Sequence, residues 1–343
     1  MVRKRLALSV LLSAVCFVLC LTAVSAAAPA PAHPALGIGD ENPYMYSDPR
    51  FLALGIKNVR FDVSWDVLSP AYKNHYRRKL FEAWMADAHA DGMTPLVTFD
   101  HSDRRGQTRR LPSVAQFSRA FLKIHKLYPW VTQFVTWDEA NYYGEKIAQR
   151  PKVAASYYLA LRRDCPHCMI AAADLLDITN RHQAVPEVKW ARELMHYAHA
   201  RPAYWALNNY VGANTLSLRS LKQVLAGLPG SFWIAETGGI VKMPHHGKVG
   251  FPLTLKHAAR VDRFLLTKVP ALSPRIKVIY LYEWRPPTAR APWDTALISW
   301  NNSVRPGYDV LANTLDAWGI TPNCVLSLVP PACKNASGAA TGS

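Results

Sequence analysis

The chain has 343 residues, of which 50% are hydrophobic and 19% are charged. This balance excludes an intrinsically disordered chain and allows a large hydrophobic core. The formal net charge of +16 is compatible with acidic glycans, anionic envelopes or nucleic acid as partners, but the sequence has no recognised nucleic-acid-binding motif, so we expect no nucleic-acid partner.

The first 28 residues have the pattern of a secretory signal peptide. Basic residues at positions 3–5 precede an apolar run over residues 6–24, and small residues that suit a cleavage site follow. Removal of residues 1–28 takes away three positive charges, so +16 becomes +13 (16 − 3). We expect a secreted protein, with association to the cell envelope as a variant and no stable membrane insertion after cleavage. Because the apolar run is long for a leader, an uncleaved anchor is the alternative.

An Ala/Pro-rich linker at residues 29–34 separates the leader from a body in which short apolar runs alternate with longer amphipathic stretches. Eight of the apolar runs are predicted strands, and their starts are about 35 residues apart, taken as (278 − 35)/7, which matches one strand-helix unit. The predicted strands are Ala35–Gly39, Val59–Val63, Pro95–Phe99, Gln133–Trp137, Met169–Ala173, Trp205–Asn208, Phe232–Ala235 and Val278–Tyr282.

The amphipathic stretches predict a helix after each strand. The stretch that begins at Tyr76 repeats apolar residues at helical spacing and ends before Gly92, a residue type favoured just after a helix. Ser113 is a predicted N-cap. The predicted helices lie near residues 48–54 and at Tyr76–Asp91, Ser113–Tyr128, Lys152–Asp164, Val188–His199, Ser217–Leu228, Leu253–Lys268 and Pro306–Leu315.

Eight strand-helix units in one chain predict a single-domain (β/α)8 TIM barrel over residues 35–320. A doubly wound open sheet is the structural alternative, but no Gly-rich phosphate loop follows the first strand. We expect a monomer. Residues 321–343 form a Cys-containing tail that we expect to be partly disordered.

Four cysteines remain after loss of the leader, and an even number in an exported protein predicts disulfides. We expect the pairs Cys165–Cys168 and Cys324–Cys333 because each pair is local in sequence. A four-cysteine zinc site is the alternative, which an oxidising compartment disfavours. We therefore predict no metal and no cofactor.

Barrel enzymes place their catalytic groups where strands end and the following loops begin. Two carboxylic acids stand out at such positions, Glu139 after the fourth predicted strand and Glu236 after the seventh. These strands lie across the barrel mouth from each other. Glycosidic cleavage needs such a pair, one acid to protonate the leaving oxygen and one carboxylate on the other face of the sugar.

The sequence around these residues resembles a known group. Residues 136–141, Thr-Trp-Asp-Glu-Ala-Asn, resemble the Trp-Asn-Glu-Pro-Asn signature of clan A glycoside hydrolases, most closely family 39 and its relatives. Residues 234–238 resemble the clan's nucleophile segment on strand seven. The resemblance extends from about residue 36 to residue 320. It implies a retaining glycoside hydrolase with Glu139 as general acid/base and Glu236 as nucleophile.

The resemblance also implies a set of substrate-binding residues. It places Arg60 beside the nucleophile, Tyr210 in a hydrogen bond to it, and Trp284 under the sugar. Residue 101 follows the third strand and is a further subsite candidate. The full predicted set is Arg60, His101, Asp138, Asn141, Asn208, Tyr210 and Trp284.

Two positions depart from the family pattern. Asp138 stands where the family usually has Asn, and a carboxyl group donates a hydrogen bond only when it is protonated. It also places a like charge beside Glu139, which should push one pKa upward. Asn208 stands where strand six often carries His. Both departures predict an unusual sugar subsite, or lost activity.

Three questions stay open at this stage. A retaining mechanism requires carboxyl groups about 5–5.5 Å apart, whereas a gap above roughly 6.5 Å would imply inversion. A carbohydrate-binding barrel without catalysis, or a transglycosylase that remodels the envelope, would use the same residues. An arginine-rich loop after the third strand could bind acidic sugars or could simply be exposed to solvent. It contains Arg104, Arg105, Arg109 and Arg110.

Overall fold

The computed structural model describes residues 33–72, 75–178, 180–244 and 250–320. Within these residues, eight parallel strands close into one barrel, and each strand pairs with its neighbours in chain order. The single (β/α)8 TIM barrel is confirmed, and the open-sheet alternative is wrong. The strands are β1 (Ala35–Gly39), β2 (Asn58–Ser64), β3 (Thr94–Asp100), β4 (Gln133–Val135), β5 (Met169–Leu176), β6 (Tyr204–Asn208), β7 (Ser231–Thr237) and β8 (Ile276–Tyr282).

Helices connect the strands and cover the outside of the barrel. A capping box formed by Ser113 and Gln116 starts the third helix, as the N-cap prediction anticipates. The α-helices are α1 (Pro49–Ala53), α2 (Tyr76–Ala90), α3 (Val114–Leu127), α4 (Pro151–Asp164), α5 (Glu187–Ala198), α6 (Tyr210–Asn214), α7 (Arg219–Gly227), α8 (Leu255–Lys268) and α9 (Pro306–Ala317). Short 3₁₀ turns lie at Pro43–Ser47, Pro70–Tyr72, Lys146–Gln149 and Pro270–Leu272.

Strand alternation sends side chains to two different cores. On β2, Val59, Phe61 and Val63 belong to the large core between the strands and the helices. The residues between them, Arg60 and Asp62, face the barrel interior, because successive side chains on a strand point to opposite faces. The lower interior is closed by a smaller apolar cluster made of Leu96, Val135, Ala171, Ala206, Trp233, Ala235, Val278 and Tyr280.

A glycine on β1 makes room for an aromatic ring in that interior. A Cβ atom at Gly37 would lie 2.4 Å from the Cδ1 atom of Tyr280, which is closer than such atoms approach. The ring of Tyr280 therefore fills space that any larger residue on β1 would occupy. The polar side chains at the carboxyl ends of the strands therefore lie above a closely packed apolar cluster.

Two irregularities in strand pairing aim polar groups into the mouth. On β7, Ile234 pairs with Leu207, but Glu236 pairs with Asn208, so β7 has an extra residue at this point. A bulge of this kind re-aims the following side chain. As a result Ala235 contributes to the interior cluster and Glu236 also reaches the cavity. A second shift precedes Asp174 on β5.

The predicted disulfide between Cys165 and Cys168 is present, with Cα atoms 5.4 Å apart. The pair predicted between Cys324 and Cys333 lies outside the described residues, as do the predicted leader, most of the linker and the tail. None of the helices in the described ranges combines the length and hydrophobicity that a membrane span requires.

Candidate active site

A buried arginine organises the cavity at the carboxyl ends of the strands. The side chain of Arg60 is fully buried, and its Nε donates to Thr98 Oγ1 at 3.2 Å. Its terminal nitrogens contact four carboxyl groups, at 2.6 Å for Glu236 Oε2, 2.9 Å for Asp62 Oδ2, 2.9 Å for Asp138 Oδ1 and 3.5 Å for Asp174 Oδ2. One cation thus faces four acids in a site where burial makes each charge costly.

Both oxygens of Glu236 are held by donors. Arg60 Nη1 donates to Oε2 at 2.6 Å, and the hydroxyl of Tyr210 donates to Oε1 at 2.8 Å. The predicted contacts of Arg60 and Tyr210 with this residue are therefore present. The side chain of Glu236 is 13% exposed, so it is oriented by its neighbours but still reachable from the cavity.

Glu139 follows β4 and adopts a φ of 40°, in the left-handed region that a non-glycine residue rarely occupies. Burial is the main cause that raises the pKa of its carboxyl to about 8, and the charges of Glu236 and Asp174 raise it further. A carboxyl with this pKa keeps its proton near neutral pH. Glu139 and Glu236 are thus close enough for the charge of the second to raise the pKa of the first, and both lie at or just after the carboxyl ends of their strands.

Asn208 lies between two of the acids. In the amide orientation that gives both the oxygen and the nitrogen of Asn208 suitable partners, the nitrogen donates to Asp174 Oδ2 at 2.8 Å. Its side chain is also within hydrogen-bond reach of Glu139. Burial raises the pKa of Asp174 to about 8. The predicted subsite residue Asn208 is therefore in contact with the acid rather than distant from it.

Asp138 is tied to the arginine rather than free in the cavity. Its Oδ1 accepts from Arg60 Nη2 at 2.9 Å. Burial and the neighbouring charge of Asp62 raise its pKa well above the ordinary value, and Arg60 counteracts this only in part. A protonated Asp138 can donate a hydrogen bond, as the amide of an asparagine does.

His101 lies at the rim with two acidic partners. Its Nδ1 is 2.9 Å from Asp100 Oδ1 and 3.0 Å from Glu145 Oε1, and Glu145 also accepts from the indole nitrogen of Trp137 at 3.1 Å. Hydrogen bonds to Asp100 and then Glu145 raise the pKa of His101 to about 10, which makes it a cation at neutral pH. Its side chain is 30% exposed and can contact a ligand.

Two of the predicted substrate-binding residues, Trp284 and Asn141, have buried side chains that contact the rest of the fold. Trp284 is only 2% exposed, its ring packs edge-on against Phe51 of α1 and Tyr308 of α9, and its indole nitrogen donates to Asp48. β8 ends at Tyr282, and past that point the chain no longer follows strand alternation. Trp284 therefore offers no ring face to a sugar.

The side-chain amide of Asn141 is also engaged in hydrogen bonds to the backbone. Its amide nitrogen donates to the carbonyls of Leu176 at 3.0 Å and Val185 at 2.8 Å, and its oxygen accepts from the Leu176 amide at 2.8 Å. The residue is completely buried. It fixes the loop that carries Glu139 instead of binding a ligand.

The structure adds residues that the sequence argument missed. Tyr282, the last residue of β8, is partly exposed and donates to Glu41 Oε2 at 2.9 Å. Glu41 follows β1, and burial and then the charge of Glu236 raise its pKa. Trp293 packs edge-on against Tyr210, with ring centroids 5.0 Å apart. The rule of inspecting residues just after each strand would have found Glu41, had it been applied to β1.

Oxygens of Asp62, Asp138 and Glu236 lie within 4.8 Å of one another, a spacing that could suit a cation. Arg60 already contacts one oxygen of each. The positive charge at this point is thus supplied by the chain itself, and the trio is a poor fit for a metal ion.

No protein-family model matches the chain, and a search of curated proteins finds no match. Solved structures do match in fold. A family 39 glycoside hydrolase from Bacteroides cellulosilyticus WH2 is 13% identical with a TM-score of 0.57, over 83% of this chain but only 64% of the other. Xylanase 10B from Thermotoga maritima is 14% identical with a TM-score of 0.60, over 84% and 96% of the two chains.

A third match is GH5_18 from Streptomyces cattleya in complex with GlcNAc, which is 14% identical with a TM-score of 0.58, over 84% of this chain and 80% of that one. The fold of this chain is therefore that of glycoside hydrolases in families 39 and 5 and of xylanases. At these identities the likeness concerns the fold, and the chemistry has to be argued from the side chains.

Proposed function

We propose that this chain is an exported retaining glycoside hydrolase with Glu236 as nucleophile and Glu139 as general acid/base. One observation carries the proposal: two carboxyl groups at the same end of the barrel lie close enough for the charge of Glu236 to raise the pKa of Glu139, but they differ in environment. Glu236 accepts hydrogen bonds from Arg60 and Tyr210, whereas burial raises the pKa of Glu139 to about 8. Glycoside hydrolysis needs this division between a nucleophile and a proton donor.

In the first step, an oxygen of Glu236 attacks the anomeric carbon while Glu139 gives its proton to the departing glycosidic oxygen. The bond to the leaving group breaks as the bond to Glu236 forms. Tyr210 and Arg60 orient the attacking carboxylate. The positive charge that develops on the sugar ring faces the carboxyl groups around Arg60, which favours the transition state over the bound substrate.

In the second step, the ionised Glu139 takes a proton from water, and the water oxygen attacks the anomeric carbon. The bond between sugar and Glu236 breaks, and the product keeps its original configuration. If a second sugar replaced water, the same groups would perform transglycosylation. That reaction differs in acceptor only, and it stays an alternative.

The cavity walls support a carbohydrate substrate. Tyr282 and Trp293 are partly exposed aromatic residues near Glu236, and aromatic rings pack well on the apolar faces of sugars. Arg104 and Arg105 are exposed in the loop after β3, together with Arg109 and Arg110. A loop with this charge favours acidic sugars in the outer subsites.

The remaining features of the proposal come from the sequence. The pattern of residues 1–28 supports export, and the local cysteine pair suits an oxidising compartment. We propose a monomer that acts without cofactor, metal or nucleic acid. The mechanism uses side chains alone.

The test is product analysis with a matched set of variants. Purified protein would be screened against envelope and plant polysaccharides and against aryl glycosides, and the anomeric configuration of the first product would be followed by NMR. We expect retention, no turnover by Glu236→Ala, and a glycosyl adduct on Glu236 with a slow-turnover 2-fluoro sugar. Glu139→Ala should keep activity on substrates with good leaving groups, because they need little protonation.

An inverted product, or full activity of Glu236→Ala, would contradict the proposal. A carbohydrate-binding barrel without catalysis is the second candidate, and the salt bridge between Asp138 and Arg60 favours it, because that bond occupies a group predicted to contact the sugar. Tight binding of a glycan that the protein never cleaves would support this second function.

A further inference from the structure

A second cluster of reactive side chains lies at the opposite end of the barrel. The Cys165–Cys168 turn connects the end of α4 to the start of β5 at Met169, and it therefore lies at the amino ends of the strands. His125 of α3 and His167 of the turn lie beside it. One potential ligand atom from each of these four residues lies within 4.8 Å of the other three. We call them the Cys–His cluster.

The composition of the Cys–His cluster is that of a structural zinc site. Two cysteines separated by two residues, together with two histidines, form the Cys2His2 donor set. Tetrahedral zinc with bonds of about 2.0–2.3 Å places its ligand atoms about 3.3–3.8 Å apart. His167 Nε2 is already 3.4 Å from Cys165 Sγ. The rings of His125 and His167 are 5.7 Å apart between centroids.

His125 has a nitrogen with no visible role in the fold. Its Nδ1 is buried, and within the described residues it has no hydrogen-bond partner. The ring is fixed between Phe121, which stacks at 5.8 Å, and Phe134, which meets it edge-on at 6.3 Å. A buried polar atom without a partner calls for an explanation.

The position of the cluster favours a cation. Cys165 is the residue directly after α4, and its amide donates to the carbonyl of Leu161 at 2.9 Å. The carboxyl end of a helix carries partial negative charge, which disfavours bare thiolates and favours a bound cation. Exposed His167 and partly exposed Cys168 leave a path from solvent.

We propose that the Cys–His cluster is a binding site for zinc or a similar thiophilic divalent metal, and that metal and disulfide exclude each other. A dithiol reduces the disulfide to two thiols by giving two electrons and two protons, and is itself oxidised to a disulfide; a phosphine gives two electrons and becomes the phosphine oxide, with the oxygen and the two protons supplied by water. Each thiol releases its proton when the metal binds. A small-molecule disulfide that accepts two electrons from the two cysteines re-forms the protein disulfide and releases the metal. The site is separate from the proposed sugar cavity.

The experiment uses the full chain with serine at the other four cysteines, Cys16, Cys20, Cys324 and Cys333. Protein reduced with tris(2-carboxyethyl)phosphine and freed of reductant would be titrated with Co²⁺ under anaerobic conditions. We expect thiolate-to-cobalt charge transfer and tetrahedral ligand-field bands that saturate near one metal per chain. Zn²⁺ should bleach these bands, and the oxidised protein should show none of them.

Matched variants identify the ligands. His125→Gln and His167→Gln should each weaken Co²⁺ binding about tenfold or more, whereas His196→Gln, at an exposed position on α5, should leave it unchanged. Circular dichroism would check folding, and His167 is exposed enough for its replacement to be tolerated. The proposal is overturned if reduced protein with two reactive thiols shows no such bands. It is also overturned if Cys165→Ser/Cys168→Ser, or the double histidine variant, binds Co²⁺ as tightly.

Discussion

The proton on Glu139 sets the alkaline limit of the proposed reaction. Its pKa is raised to about 8, so the acid loses its proton as the pH rises past that value. We expect kcat/KM for a substrate with a poor leaving group to fall with an apparent pKa near 8, because only the protonated form can donate. A pH-rate profile measures this directly.

Asp174 has a pKa near the same value, so a control is needed. On the same substrate, Glu139→Gln has no proton to donate and should lose nearly all turnover. Asp174→Asn should keep the alkaline limb, shifted to lower pH because the charge of Asp174 contributes to the raised pKa of Glu139. Loss of the limb in Asp174→Asn would assign the titration to Asp174.

Burial and then the charge of Asp62 raise the pKa of Asp138 and favour its protonated form, in which we predict that it donates a hydrogen bond. Asp138→Asn keeps both a donor and an acceptor, so we expect activity at neutral pH to change by less than about threefold. Asp138→Ala removes both the hydrogen bond that Arg60 Nη2 donates at 2.9 Å and the group that would donate to the sugar, which should cost activity at least about tenfold. Steady-state kinetics of both variants make the comparison. Equal losses in the two would show that the Asp138 carboxyl itself is required.

At the scale of single residues, the sequence identified charged side chains that interrupt otherwise apolar strands. Arg60 and Asp62 alternate with Val59, Phe61 and Val63, so their inward direction follows from strand periodicity. Trp284 could not be placed in the same way, because it lies beyond the end of β8 and packs against helices that are distant in sequence. The alternation of side chains along a strand no longer predicts where a side chain points once the strand has ended.

At the scale of elements, the short helix α6 depends on a single acid. Asp177 accepts hydrogen bonds from the amides of Val211 at 2.9 Å and Gly212 at 2.6 Å, at the start of the helix that carries Tyr210. Asp177→Ala would leave the buried amide of Gly212 and the partly buried amide of Val211 without these partners, so we expect a loss of about 1–3 kcal/mol in unfolding free energy. We also expect weaker positioning of Tyr210 and a lower kcat.

Urea denaturation and kinetics would check both effects. Asp177→Asn keeps one oxygen acceptor and should lose less stability than Asp177→Ala. Tyr210→Phe should lower kcat without the loss of stability. If Asp177→Ala were as stable as the wild type, the two amides would have to find other partners.

The strands were predicted well because each is a short apolar run, and most of their ends lie within two residues of the prediction. The helix α6 was missed because five residues that include Gly212 carry no helical period. The extra residue in β7 was also not predictable, since it follows from pairing with β6 and β8 and not from any local pattern. This bulge directs Glu236 into the cavity, so the sequence located the residue but not the reason for its orientation.

At the scale of the whole molecule, buried acids should make the fold more stable at acidic pH. Burial raises the pKa of Asp177 and Asp174 to about 8 and that of Asp262 to about 7. The folded state therefore binds more protons than the unfolded state between pH about 4 and 8, and unfolding free energy falls as the pH rises through this window. His101, with its pKa raised to about 10, adds a loss in the same direction at higher pH.

We expect urea unfolding to show a loss of at least about 2 kcal/mol between pH 5 and pH 8. Asp262 provides the control, because it is buried in α8 outside the cavity and accepts from the Gly239 amide. Asp262→Asn keeps an acceptor for that amide but cannot titrate, so it should flatten the pH dependence. A stability that rises from pH 5 to pH 8 would contradict the assignment of these protons.

The charge distribution of the molecule has two opposite parts. The formal charge of the whole chain is +16, and exposed arginines follow β3, yet the cavity contains four carboxyl groups around one guanidinium. A polyanion would be drawn to the exterior, whereas the centre would attract it little, because Arg60 is paired with carboxyl groups and the raised pKa values of Glu139 and Asp174 keep protons on them near neutral pH. Under the proposed function, a polymer with unevenly spaced charges would therefore bind through its charged units at the rim and place an uncharged unit at the mouth.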